Sequence, residues 1–154
     1  MEKMPQTNEI AKIQTPLVGP LAEDDLHYLE PMVQRHFAHA GDCLWREGDL
    51  DGRWGVVIRG KVKVLKETEN PEHRLVLGLF GPGSLILDCS FEQGQPKETS
   101  AFAVEDVEIL FLSKEHFEKI LAERPPLGHL LYRQVLVSVT EQLRYAYRRL
   151  VAIF

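Results

Sequence analysis

The sequence predicts a mainly β fold with flanking helices: an eight-stranded antiparallel β-roll, of the jelly-roll barrel type, followed by a long C-terminal helix. Three observations support this prediction. Residues 34–113 form short β-rich runs separated by turns that contain Gly and Asp, a pattern typical of antiparallel barrels and sandwiches. After Ser113 the apolar pattern becomes helical. Towards the end of the chain it keeps a heptad spacing.

The candidate strands are eight short runs rich in apolar and β-branched residues: 35–38, 43–46, 55–58, 61–66, 74–80, 85–87, 99–104 and 107–112. Turn signals lie between most of them, at residues 40–42, 47–49, 59–60, 81–83 and 105–106. Lysine alternates with valine at the start of the fourth run, as it does in a half-buried strand. Strands this short and turns this close favour antiparallel pairing throughout.

Helical segments are predicted on both sides of the strands. The first helix opens at about Pro20 and has three acidic residues in its first turn, where they suit the helix dipole. Ser113 is the predicted N-cap of a second helix that runs to about Glu123. Pro125-Pro126 ends that helix, and a third helix runs from about Pro126 to the end of the chain.

The last helix carries apolar residues at alternating spacings of four and three, which we call the seam: Tyr132, Leu136, Val139, Leu143, Ala146, Leu150 and Ile153. This spacing is typical of two helices that wind together. At ~1.5 Å per residue the helix is about 40 Å long and overhangs a domain of this size. We expect the seam to form a homodimer, and the alternative is a helix that lies wholly on its own domain. Four further apolar residues are expected to face the parent domain: Leu127, Leu130, Leu131 and Val135.

Composition and charge exclude several classes of protein. The 154 residues are 44% hydrophobic, but no apolar run approaches the ~20 residues that cross a bilayer. No secretory signal precedes residue 20, so we expect a cytoplasmic protein without membrane contact. The net charge of -5 disfavours nucleic acid as a partner, because phosphate binding needs a basic face. Cys43 and Cys89 fit no disulfide framework or zinc pattern, and we expect both as small core residues.

Boundaries between the parts of the chain follow from these patterns. Residues 1–19 are polar and aperiodic and are predicted to form an N-terminal arm. Residues 20–125 form the β-roll with its short flanking helices, and residues 126–154 form the dimerisation helix.

Enzymatic chemistry finds little support in the sequence. His36 and His39 suggest a metal enzyme of the cupin type, but a spacing of three places them on opposite faces of a strand. The sequence contains no Gly-x-Ser-x-Gly motif and no phosphate-binding Gly-rich loop of the nucleotide-hydrolase type. We therefore expect no catalytic residue, no metal and no cofactor.

Several motifs together resemble a known family. The Glu-Gly-Asp turn at 47–49 is followed, at the family's spacing, by a Gly-x-Val strand at 60–62. A Phe-Gly-Pro-Gly turn at 80–83 and Ser-Ala at 100–101 follow in the same order. Over residues 21–154 the chain resembles the cyclic nucleotide-binding domain of catabolite-activator-type regulators and of cyclic-nucleotide-dependent kinases and channels. The resemblance implies a regulatory sensor domain. The chain ends at Phe154, where transcription factors of this family continue into a helix-turn-helix domain, so we expect no direct DNA binding.

The resemblance also implies a ligand site, and here the sequence departs from the family. In the family, backbone N–H groups and an arginine hold a cyclic phosphate, and a glutamate holds the ribose 2′-hydroxyl. Leu87 stands at a glycine position of this cassette, Asp88 at the glutamate and Thr99 at the arginine. The sequence thus predicts an altered phosphate-binding cassette.

The candidate ligand-binding residues lie in and after the cassette: Leu87, Asp88, Cys89, Ser90, Lys97, Thr99 and Ser100. Lys97 precedes Thr99 by two residues and is either a substitute cation or a solvated loop residue. We expect a non-enzymatic, dimeric regulatory domain that binds a non-standard ligand or a protein partner. The alternatives are a working sensor of cyclic AMP or cyclic GMP, and a protein-interaction module whose pocket is filled by Leu87 and Phe91.

Overall fold

The computed structural model describes residues 21–88, 90 and 94–154. A short helix, α1 (Glu23–Leu29), continues into a 3-10 turn (Glu30–Met32). Two helices end the chain, α2 (Lys114–Glu123) and α3 (Pro125–Ile153). Between them lie eight strands: β1 (Gln34–Ala38), β2 (Cys43–Trp45), β3 (Trp54–Arg59), β4 (Val62–Glu67), β5 (Arg74–Phe80), β6 (Leu85–Ile86), β7 (Ser100–Ala103) and β8 (Val107–Leu112).

The strands form two antiparallel sheets, with orders β1-β8-β3-β6 and β2-β7-β4-β5. The predicted eight-stranded antiparallel jelly roll is confirmed, and its two sheets are not closed into a barrel. Closure requires hydrogen-bonded pairing all the way around. In the described part of the chain, no strand of one sheet pairs with a strand of the other. Strands of two and three residues, β6 and β2, lie at edges of the two sheets and offer little backbone for such pairing.

Two cores hold the sheets and helices together. One lies between the sheets and is made mostly of small and β-branched side chains, with the aromatic rings of Trp45 and Phe111. The small and β-branched residues include Val57, Ile86 and Ile109 from the first sheet, and Val62, Val64, Ala101 and Ala103 from the second. The other lies where the helices cover the first sheet and is built around Trp54, Phe117, Ile120 and Leu131. Because β3 takes part in both cores, residues 54–57 are all buried.

The helix boundaries agree with the sequence signals at α2. Ser113 Oγ accepts a hydrogen bond from His116 N at 3.1 Å, which confirms the predicted N-cap. The helix ends at Glu123 as expected, and α3 begins at Pro125. The first helix begins at Glu23, three residues after its predicted start, and Pro20 lies outside the described residues.

The first turns of α3 pack on the parent domain. Leu127 and Leu131 are buried, and Val135 packs against the same core, as predicted for this face. Leu130, the fourth residue of the prediction, is only half-buried. Tyr132 makes an edge-to-face contact with Phe117 at 4.7 Å between ring centroids. The start of the long helix is therefore fixed to the domain by apolar contacts.

Apart from the ring contact of Tyr132, the apolar seam of α3 is open to solvent in the single chain. Its large side chains are exposed, from 36% at Tyr132 to 76% at Ile153. On another face of the helix, Arg149 donates a hydrogen bond to Val76 O of β5. No helix in the described part of the chain combines the length and apolarity that a membrane crossing needs.

Cys43 corrects one expectation from the sequence. Its side chain is exposed, whereas a core position was predicted. Pairing between β2 and β7 shifts register between Cys43 and Trp45, and this irregularity breaks the alternation that would place both side chains inside. Cys89, the other predicted core cysteine, lies outside the described residues.

Candidate ligand site

The candidate site lies in the connection from β6 to β7, which crosses from one sheet to the other. Asp88 comes two residues after β6, and Thr99 directly precedes β7. The two ends of the connection therefore meet where the sheets face each other. The site is built at this junction.

Asp88 is the centre of the site. Its side chain is buried, with 2% of the residue exposed. Oδ1 accepts hydrogen bonds from Ser90 N at 3.0 Å and Glu98 N at 3.2 Å, and Oδ2 accepts from Glu98 N at 3.2 Å and Thr99 N at 3.0 Å. Thr99 Oγ1 also donates to Oδ2. The carboxylate thus joins both ends of the β6–β7 connection.

The hydrogen bonds keep Asp88 ionised in spite of its burial. Burial raises the pKa of this carboxyl because it penalises the charged form. Hydrogen bonds from Thr99, Ser90 and Glu98 act in the opposite direction and prevail, so the pKa lies below its ordinary value. At neutral pH the site contains a buried negative charge.

Thr99 occupies the position where the family pattern has an arginine. Its hydroxyl donates to Asp88 and accepts a hydrogen bond from Trp45 Nε1 at 3.3 Å. Both hydrogen-bonding roles are used within the protein. Trp45, which sequence reasoning did not include in the site, is buried in β2 with 3% of its surface exposed. Its position just before the Glu-Gly-Asp turn is the one sequence signal that could have identified it.

Lys97 is not a solvated loop residue, because only 3% of its surface is exposed. Its Nζ donates to Arg53 O at 3.3 Å and lies 4.7 Å from the centroid of the Trp45 ring. Its backbone is held by the neighbouring turn, since Lys97 N donates to Asp49 O and Gly48 N donates to Lys97 O, both at 2.8 Å. These two hydrogen bonds hold the backbone of Lys97 against the Glu-Gly-Asp turn.

Burial and charged neighbours have opposite effects on the pKa of Lys97. Burial lowers the pKa of its ammonium group, while the charges of Asp51 and Asp88 raise it. The desolvation effect is larger, so the pKa lies below its ordinary value. The ammonium therefore faces a cluster of carboxylates but is bound to a backbone carbonyl and an aromatic ring.

A second ion pair borders the site. Lys66 Nζ donates to Glu47 and, at 2.7 Å, to Glu98 O. Glu47 N donates to Ser100 Oγ at 3.0 Å, so the predicted site residue Ser100 anchors the Glu-Gly-Asp turn. Sequence reasoning missed Lys66 as a site residue, because it appears there only as the last lysine of an alternating strand.

The remaining predicted residues are placed differently from one another. Ser90 is buried and joins the site through its backbone N–H. Leu87 is half-buried and packs against the core beneath the helices. Cys89 and Phe91 lie outside the described residues. The structure therefore brings Asp88, Ser90 and Thr99 into direct contact, with Lys97 beside them.

Comparisons with known proteins agree with this architecture. Residues 35–124 match the family model described as the cyclic nucleotide-binding domain. The chain is 30% identical over 117 residues to the cyclic AMP receptor protein of Thermus thermophilus, a match that covers 76% of this chain and 54% of the receptor. It is 28% identical over 102 residues to patatin-like phospholipase domain-containing protein 6 of Mus musculus, covering 66% of this chain and 8% of that protein. This chain thus spans about half of the receptor's length and a small part of the other protein.

Solved structures give the same result. A cyclic nucleotide-binding domain from Methylobacillus flagellatus superposes with a TM-score of 0.82 at 25% identity, covering 96% of this chain and 84% of that one. The catabolite activator protein of Thermus thermophilus superposes with a TM-score of 0.72 at 27% identity, covering 90% of this chain and 63% of the other. The family match extends over more than half of the residues, and the strand order and the Glu-Gly-Asp turn accompany it. The chain belongs to the cyclic nucleotide-binding domain family.

Proposed function

We propose that this chain is a non-enzymatic, cytoplasmic regulatory domain that works as a homodimer through α3 and whose altered cassette responds to a non-standard ligand or a protein partner. The observation that supports the proposal most directly is the set of hydrogen bonds that the Thr99 hydroxyl makes within the protein. At the position where the family pattern has a phosphate-binding arginine, a threonine hydroxyl is engaged with Asp88 and Trp45. A cyclic mononucleotide loses its main charged partner there.

The size of this loss can be estimated. A hydrogen bond to a charged group contributes roughly 1.5–3 kcal/mol, and the arginine provides a bidentate pair. Each ~1.4 kcal/mol changes affinity tenfold, so the absence of the arginine weakens phosphate binding by at least ~10- to 100-fold. Lys97 does not replace the guanidinium directly, because its ammonium is bound to Arg53 O.

Calorimetric titration with cyclic AMP and cyclic GMP tests the proposal. We expect no micromolar binding of either nucleotide to the wild-type domain. The matched control is a variant that restores the family pattern, Leu87→Gly with Asp88→Glu and Thr99→Arg, which we expect to bind more tightly by at least ~10-fold. Micromolar binding by the wild type contradicts the altered-cassette proposal.

A second candidate function, a working cyclic-nucleotide sensor, is favoured by the burial of Lys97. Its ammonium lies inside the domain and within the field of Asp88 and Asp51, so a cation is available near the cassette. In this case the wild type binds cyclic AMP and Lys97→Ala abolishes that binding. Unchanged affinity in Lys97→Ala removes the lysine from the ligand site.

Dimerisation is the second part of the proposal. The seam keeps its heptad spacing along a helix of 29 residues, and its large side chains are exposed in the single chain. An exposed apolar stripe of this kind on a long helix is satisfied by a second copy of the same helix. The partner helix would cover the residues that the parent domain leaves exposed.

A further inference from the structure

The donors around Asp88 form a compact site for an anion. Three backbone N–H groups, from Ser90, Glu98 and Thr99, point at one carboxylate together with the Thr99 hydroxyl. Backbone N–H groups that converge in this way form anion-binding concavities in many proteins. The donors come from two places in the chain, Ser90 and, eight and nine residues later, Glu98 and Thr99, and all of them bind the same carboxylate.

We propose that the Asp88 carboxylate is a built-in anion that occupies these donors, so that the cassette is self-liganded and closed to phosphate-bearing ligands. The inference rests on the proposed function and adds a physical reason for it. The cassette keeps its closed form without any external anion. A phosphate-bearing ligand has to displace a tethered carboxylate.

Saturation of the carboxylate supports this view. Two carboxylate oxygens offer about four lone-pair sites, and the hydrogen bonds from Ser90, Glu98 and Thr99 use both oxygens. Burying a carboxylate is costly unless such charge-assisted bonds compensate. Asp88 is 2% exposed and is compensated in this way. The same donors cannot serve a second anion at the same time.

The surrounding charges also disfavour an incoming anion. Lys66 is paired with Glu47, and Arg53 is paired with Asp51 at 2.8 Å. Lys97 is attracted by both Asp51 and Asp88. Lys66 and Arg53 are therefore already paired with carboxylates of the protein, and the Lys97 ammonium is held by Arg53 O and the Trp45 ring. A phosphate that entered would meet the negative charge of Asp88 in a region from which water is largely excluded.

Chemical rescue of Asp88→Ala tests the proposal. This variant leaves the N–H donors unoccupied, and acetate or inorganic phosphate can then fill the vacated position. We expect either anion to raise the Tm of the variant by at least about 2 °C relative to chloride at equal ionic strength, and to leave the wild type unchanged. Asp106→Ala is the matched control, because Asp106 is an exposed carboxylate that also accepts a backbone hydrogen bond, from Ala40 N. It should show no anion-specific shift.

Asp88→Asn keeps the experiment decisive if the alanine variant does not fold. The amide has nearly the shape of the carboxylate but lacks its charge, so we expect inorganic phosphate to bind this variant at least ~10-fold more tightly than the wild type. Absence of rescue in the alanine variant, or unchanged phosphate affinity in the asparagine variant if alanine does not fold, overturns the built-in anion. Micromolar binding of inorganic phosphate by the wild type overturns the built-in anion but leaves the proposed function standing. Micromolar binding of cyclic AMP by the wild type overturns both, so the two failures are distinguishable.

Discussion

The Trp45 indole donates a hydrogen bond from Nε1 to Thr99 Oγ1 at 3.3 Å, and Thr99 Oγ1 in turn donates a hydrogen bond to Asp88 Oδ2. The face of the same ring receives the Lys97 ammonium at 4.7 Å. Trp45 therefore connects the cation and the anion of the site through two different parts of one side chain. Its two roles can be separated by substitution.

Trp45→Phe removes the N–H donor and keeps an aromatic face for Lys97. A hydrogen bond contributes about 1 kcal/mol, so we expect the Tm to fall by about 2–4 °C. Trp45→Leu removes the ring as well and leaves a cavity, and its loss should be larger by at least ~1 kcal/mol. Thermal and urea denaturation measure both. A phenylalanine variant as unstable as the leucine variant would show that the N–H group, and not the ring, dominates.

The hydrogen bonds to Asp88 predict a loss of stability in acid. The pKa of this carboxyl in the folded protein is below its ordinary value of 3.8, so its contribution is fully present above that value. The contribution is lost as the pH falls through the folded-state pKa. Asp88→Asn cannot titrate, so the difference in unfolding free energy between wild type and variant should shrink as the pH falls below about 4. Urea denaturation at a series of pH values measures it, and a pH-independent difference contradicts the assignment.

Burial of Lys97 predicts the opposite behaviour in base. The folded-state pKa of this lysine is below its ordinary value of 10.5, so the unfolded chain binds more protons between the two values. The contribution of Lys97 to the free energy of unfolding of the wild type therefore rises with pH in that interval. Lys97→Met lacks this contribution, and its stability relative to the wild type, measured by urea denaturation, should decline as the pH approaches 10.5. Tyr28, whose pKa is raised mainly by desolvation, titrates in both proteins and cancels in the comparison.

Strand positions were predictable from the sequence because local patterns determine them. The run at 74–80 coincides with β5, and the Ser113 cap and the end of α2 at Glu123 are as expected. In each case the signal lies within a few neighbouring residues, as alternation, a turn glycine or a capping hydroxyl. Closure of the sheets was not predictable in this way, because it depends on pairing between strand edges far apart in sequence.

In the candidate site too, local sequence identified individual residues but not the contacts between residues distant in the chain. Asp88 and Thr99 were identified as altered positions, but their mutual hydrogen bond joins residues eleven apart across a loop. Lys97 follows a Gly-Gln-Pro turn and has the composition of an exposed loop, yet backbone bonds to Gly48 and Asp49 carry it inside. The prediction that Cys43 is a core residue was wrong for a related reason. The shift of register between β2 and β7 changes which face of the strand its side chain lies on, and no local sequence pattern signals that shift.

Gly60 and Gly41 have similar positive φ angles but different surroundings, so replacing each by alanine distinguishes the cost of backbone strain from the cost of a steric collision. Gly60 has φ of +87°, and a Cβ there would lie 2.3 Å from Asp106 O. Gly41 has φ of +91°, but no atom lies within 4 Å of its Cβ position. Gly41→Ala should lose only the left-handed strain, about 1–2 kcal/mol. Gly60→Ala must also move backbone, and we expect it to lose at least ~2 kcal/mol more. Equal losses in denaturation experiments would contradict a steric collision with Asp106.

Leu143→Asp tests the seam on α3. Leu143 lies in the middle of the heptad pattern and is 48% exposed in the single chain, so we expect the domain itself to tolerate the substitution. In a dimer the same aspartate would be buried at the helix interface without a partner, which costs several kcal/mol. We expect light scattering to give a dimer for the wild type and a mass near 17.6 kDa, that of one chain, for the variant.

Val137→Asp provides the matched control for this prediction. Val137 is 46% exposed on the same helix but lies one residue after the seam position Leu136, about 100° around the helix and outside the seam. The same change of an exposed apolar residue to aspartate should leave the dimer intact there. A wild type that is already monomeric, or a Leu143→Asp variant that stays dimeric, contradicts the seam. Dissociation of both variants would instead place the contact on a broader face of α3 than the heptad spacing predicts, because the seam and its flank would then be equally buried.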